Sequence, residues 1–126
     1  MRNRILLTAA GLSALVVVLH EVAGAPMVLP PLSEAGLPPE VVALHHFSWH
    51  AGSVLGLLLA ALFFVAARRD GMQVVARVAT FAACALGAVA VSLAVTLSDA
   101  LWGTPAPYVW WAVGALGAIG SRTSFE

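Results

Sequence analysis

Four long apolar stretches, parted by short clusters of proline, glycine and charge, make up most of this 126-residue chain. They run from about 5 to 25, 41 to 67, 74 to 101 and 107 to 120. Each run is continuous rather than alternating, which predicts helices and not the strands of a barrel. A hydrocarbon core about 30 Å thick takes about 20 residues of helix to cross. The first three runs meet that length, and the fourth is short enough to need local thinning or support from its neighbours. The pattern predicts an all-α integral membrane protein, an up-down four-helix transmembrane bundle in a single domain over residues 1–126.

The interruptions have mechanical causes. Pro26 is expected to close the first helix. The stretch Pro30 to Glu40 holds four prolines, each without an amide hydrogen, so 26–40 reads as an irregular outer loop. Arg68 to Met72 reads as a tight charged turn, and Thr104 to Pro107 parts the last two runs. Ala23-Gly24-Ala25 has the look of a secretory cleavage site, but a proline directly after it disfavours the cut.

Composition agrees with lipid as the solvent. Hydrophobic residues are 61% of the chain and charged residues 10%, against about a quarter charged in soluble domains. The net charge is zero, so no nucleic-acid partner is indicated. Lysine is absent, and all six cations are arginine. With four spans, Arg2, Arg4, Arg68, Arg69, Arg77 and Arg122 fall on one side, which predicts cytoplasmic termini. Glu21, Glu34, Glu40 and Asp99 fall on the other side, with Trp49, Trp102, Tyr108, Trp110 and Trp111 as an aromatic belt. The single cysteine, Cys84, reads as a small buried hydrophobe.

Against this background, four histidines stand out. His20 and Glu21 lie late in the first run, His45, His46 and His50 early in the second, and Asp99 late in the third. Antiparallel order puts all six at similar depth toward the outside. His46 and His50 are four apart and share a helix face, with Ser53 a turn beyond. His20 and Glu21 are successive and are expected to point about 100° apart, so that they do not face one partner equally. Gly52, Gly56 and Ala60, and likewise Gly114 and Ala118, read as small-residue ridges for close helix approach.

Ionisable groups inside spans are costly and mark candidate sites. Imidazoles suit copper, zinc and iron. One expectation is therefore a transition-metal site with His20, His46 and His50 as ligands, completed or oriented by Glu21 or Asp99. Another is a single haem b between spans, held by His20 and one of His46 or His50. The HxxxH spacing is not that of a zinc protease, because Phe47 stands where the general-base glutamate belongs. Glu21, His45 and Asp99 are also placed to reach the headgroup layer. A different class of reading is a non-catalytic accessory subunit of a larger membrane complex, or a homo-oligomer. No nucleophile motif, phosphate loop or dinucleotide fingerprint is present.

H-E-V-A-G (His20 to Gly24), L-P-P-L (Leu29 to Leu32), P-P-E-V-V (Pro38 to Val42) and Trp49-His50 together resemble a loose group of small, uncharacterised bacterial four-span membrane proteins. The likeness covers mainly residues 15 to 65. That group pairs a histidine late in its first span with a Trp-His in its second. The resemblance implies His20 and His50 as a matched pair and a bacterial inner membrane as the location, and it carries no settled activity.

Overall fold

The computed structural model describes residues 2–122, and among them the fold is all helical. In chain order the elements are α1 (Arg2–Leu19), a π-turn (His20–Gly24), α2 (Ala25–Glu34), α3 (Pro39–Arg68), α4 (Gln73–Thr96), a 3-10 turn (Asp99–Gly103) and α5 (Ala106–Gly120). Three helical stretches are long and apolar enough to cross a membrane: Asn3–Glu34, Pro39–Arg68 and Gln73–Thr96. Ala106–Gly120 is a shorter apolar helix.

The expected outer loop over 26–40 is largely helix. Pro26 does not end the first helix, and Pro30 and Pro31 lie inside α2. The π-turn explains how. In an α-helix the Pro26 ring would meet the carbonyl four residues back. Here the Ala25 N–H bonds five residues back, to the His20 carbonyl, and the widened turn moves the obstructing carbonyl away from the ring. The chain reverses only after Glu34, where Gly36 takes a left-handed φ of +68° that a side chain would resist. Helix resumes at Pro39 with Glu40 in its first turn, where a carboxylate meets the positive end of the helix dipole.

The third run also ends sooner than expected. α4 stops at Thr96, and extended backbone at Ser98 sets the 3-10 turn apart from it. α5 begins at Ala106, with Pro105 before it and Pro107 in its first turn.

Neighbouring helices are antiparallel. Gly56 of α3 lies against Val17 of α1, Gly120 of α5 against Leu6 of α1, and Gly114 of α5 against Cys84 of α4. α1 therefore packs on α3 and α5, and α4 packs on α5 with a thinner contact to α3. This order gathers the start of α1, the end of α3, the start of α4 and the end of α5 at one end of the bundle. The core between them is built of small side chains around Leu6, Leu59, Phe63 and Val113, with Ala9, Ala76, Ala79 and Ala83 fully buried.

The ridge expected on the last helix uses different residues. Gly114, Gly117 and Gly120 are buried at successive turns, whereas Ala118 is exposed. On α3, Gly56 is pressed against Val17 and Trp110, but nothing lies within 4 Å of a Cβ built on Gly52. The core also stops short of the far end of the bundle: no residue from 18 to 52 is buried.

Candidate functional site

Register brings Glu21 and His50 level. From Asn3 to Glu21, and from Arg68 back to His50, the chain climbs the same eighteen residues, about 27 Å at 1.5 Å per residue. The two side chains meet across the α1–α3 contact: His50 Nδ1 lies 3.2 Å from Glu21 Oε1. The same oxygen accepts the Ser53 hydroxyl one turn further along α3. Ser53 is buried, whereas the His50 side chain is 55% exposed and Glu21 33%.

His20, the residue next to Glu21, also turns to α3. Its ring stacks on Trp49 with centroids 3.9 Å apart and planes within 12°. Its Nε2 lies 3.3 Å from the Trp49 carbonyl, which can only accept. His20 and Glu21 thus both reach α3, each on its own residues. The wider π-turn reduces the angle between successive side chains, and α3 offers two adjacent stripes, Trp49 on one and His50 with Ser53 on the other. Trp49 fills the space beside the π-turn so closely that a Cβ at Gly24 would stand 3.0 Å from its ring. The Trp49 indole N–H is buried without a hydrogen-bond partner among the described residues.

His46 belongs to the same face of α3 as His50, with ring centroids 6.5 Å apart. Its Nε2 lies 3.3 Å from Ser33 Oγ, on α2. The Ser33 hydroxyl proton is already donated to the Leu29 carbonyl, so His46 Nε2–H is the donor in that contact. His45 turns away and bonds its own helix through Nδ1 to the Val41 carbonyl, 2.8 Å.

These hydrogen bonds set tautomers. His50 donates from Nδ1 and keeps the lone pair on Nε2. His46 donates from Nε2 and keeps the lone pair on Nδ1. The α3 pair therefore presents two basic nitrogens, one of them on an imidazole aligned by a carboxylate.

The larger sets expected from sequence are not assembled. Among the described residues no group of three or more His, Cys, Asp or Glu side chains is placed to hold one metal ion. Asp99 is exposed in the 3-10 turn that packs on α4 and α5. His20 is engaged face-on by Trp49 and edge-on by a carbonyl. A haem between α1 and α3 does not fit this arrangement, because the Trp49 indole occupies the interval beside His20. Nor do Ser53, Glu21 and His50 form a hydrolytic triad, in which the hydroxyl bonds the imidazole; here it bonds the carboxylate.

Two contacts escaped the sequence. Ser33 was hidden by reading 26–40 as loop, and the Trp49 stack by treating His20 only as a ligand. The register carries a partial signal for the second: with Glu21 level with His50, Trp49 stands only about 3 Å along the bundle axis from His20, within reach of an indole ring. No known protein family matches the chain, and neither a curated protein nor a solved structure does.

Proposed function

We propose that this is a multi-pass membrane protein, its arginine-bearing end cytoplasmic, that binds a transition-metal ion at the opposite end. His50 and His46 are the ligands, Glu21 orients His50, and donors from outside the chain complete the coordination. The observation that carries this reading is the Glu21–His50 contact. Metal-bound histidines commonly give their second ring N–H to a carboxylate, which fixes the ring and raises its basicity. Spacing supports the pair. With metal–nitrogen bonds of about 2.1 Å and a ring radius of about 1.2 Å, two imidazoles on one ion have centroids at most about 6.6 Å apart. The observed 6.5 Å falls just inside that limit, which a linear arrangement reaches, and the rings must close to about 5.4 Å to meet a tetrahedral ion.

Calorimetric titration of untagged, metal-stripped protein in mild detergent with copper(II) and zinc(II) tests the reading. One ion per chain is expected, with affinity falling about 100-fold or more in His50→Ala and unchanged in Asp99→Asn. Equal affinity in wild type and His50→Ala removes the site.

A second reading, a subunit of a membrane complex, draws on a separate observation. Residues 18 to 52 contain no buried side chain, while Val22, Met27, Leu44 and Phe47 are 71%, 76%, 63% and 71% exposed. The α2 region rises beyond a 30 Å core measured from the arginines, where lipid tails no longer cover apolar surface. On this reading Phe47 and Met27 are covered by another chain. Cysteine scanning of both positions in intact membranes should then show protection from a water-soluble maleimide. Free labelling at both sites excludes such a cover.

A further inference from the structure

The opposite end of the bundle is ringed with arginine. The sequence holds no lysine and six arginines, and the fold collects every one at a single end. Arg2 and Arg4 open α1, Arg68 closes α3, Arg69 begins the turn, Arg77 lies near the start of α4, and Arg122 follows α5. Arg4, Arg68, Arg69, Arg77 and Arg122 are all exposed. Asp70 is the one acid at that end among the described residues. Between Arg4 and Arg68 there is no cation at all, and the far end bears Glu21, Glu34, Glu40 and Asp99.

We infer that this arginine rim binds the phosphates of anionic phospholipid headgroups. Three features lead there. First, charge density: several cations fringe helices whose outward faces are apolar, including exposed Phe64, Val65, Val74 and Val78. A phospholipid offers both matching parts, a tail for those faces and an anion for the rim. Second, residue type: guanidinium gives phosphate two parallel hydrogen bonds, which an ammonium cannot. Third, placement: the Arg68 guanidinium carbon stands 5.5 Å from the centre of the Phe64 ring. That contact holds the charge at the edge of the apolar surface, the level of a headgroup phosphate. The inference rests on the membrane reading and is independent of the metal site.

The test is reconstitution into nanodiscs containing equal phosphatidylglycerol and phosphatidylcholine, followed by native mass spectrometry of retained lipid. The wild type should retain the anionic lipid about tenfold over the zwitterionic one. A triple variant, Arg68→Gln, Arg69→Gln and Arg77→Gln, should retain the two about equally. The matching triple lysine variant should keep only part of the preference. Equal retention by wild type, or undiminished preference in the glutamine variant, overturns the proposal. If the triple variant does not fold, Arg69→Gln alone must lower the preference, and an unchanged ratio there has the same force. Failure to reconstitute into either lipid refutes the membrane reading itself, whereas a reconstituted protein indifferent to headgroup refutes only this inference.

Discussion

Gly117→Leu should destabilise the bundle by about 3 kcal/mol, at the upper end of what overpacking typically costs. A Cβ at position 117 meets Thr80 Oγ1 and stands 2.8 Å from both Cε1 and Cζ of Phe63. Neither neighbour can retreat cheaply. Phe63 is 0% exposed, so its ring has no free space to enter. The Thr80 hydroxyl is held 2.7 Å from the Ala76 carbonyl of its own helix. On the proposed membrane reading this contact matters more than its size suggests. Helices in lipid gain little from leaving an equally apolar solvent and associate through close packing. Three helices, α3, α4 and α5, converge at this glycine, so one added side chain parts all of them. Gly11→Leu is the control, because nothing lies within 4 Å of a Cβ at that site. Unfolding by titrated denaturing detergent, followed by circular dichroism, measures both. Equal midpoints for the two variants would show that the glycine seam does not hold the bundle together.

The same seam shows what the sequence can and cannot reveal. The helical stretches were legible because Arg68 to Met72 and Thr104 to Pro107 interrupt apolar runs sharply. Which glycines face a neighbour was not legible. A ridge at spacing four, Gly114 with Ala118, and one at spacing three, Gly114 with Gly117 and Gly120, differ only in how the partner helix crosses. That crossing is a tertiary property, fixed here by Cys84, Thr80 and Leu6 on other elements.

Proline was misleading for a related reason. Pro26 forbids a regular α-turn, and the usual outcome is a helix end. The chain instead changes its hydrogen-bond register over His20–Gly24 and continues. No local rule distinguishes these outcomes, since the choice depends on whether α3 packs against the widened turn. It does, through Trp49 on His20 and Gly24. That one register change also shapes the site in two ways. It lets His20 and Glu21 both reach α3, and it extends α2 far enough to bring Ser33 to His46. The Glu21–His50 level and the shared face of His46, His50 and Ser53 needed no such knowledge. Helical rise and spacing sufficed. Asp99 failed for a simpler reason: α4 ends before it, and the 3-10 turn turns it elsewhere.

Glu21→Gln should weaken metal binding about 10- to 100-fold while leaving both imidazoles in place. The native carboxylate has no proton to give, so His50 must donate from Nδ1 and direct its Nε2 lone pair outward. A glutamine of the same shape offers both an oxygen and an NH2. Its oxygen carries two lone pairs and can still accept from both His50 and Ser53, as Oε1 does in the native protein, so in that orientation only the charge is lost. Turned the other way, the amide NH2 would donate to His50 and favour the tautomer whose Nε2 is protonated and useless to a metal. The negative charge beside the metal-binding ring is lost in either orientation. Ser53→Ala separates these effects. It removes the hydroxyl donor and keeps the charge, so it should bind metal nearly as wild type does. Combined with Glu21→Gln, it should restore nothing, because the amide oxygen already has a lone pair for His50 and the charge is still missing. Calorimetry on the four proteins completes the cycle, with circular dichroism confirming equal helix content. If Glu21→Gln binds as tightly as wild type, the carboxylate does not orient a ligand. Its contacts to His50 and Ser53 would then serve only to join α1 to α3.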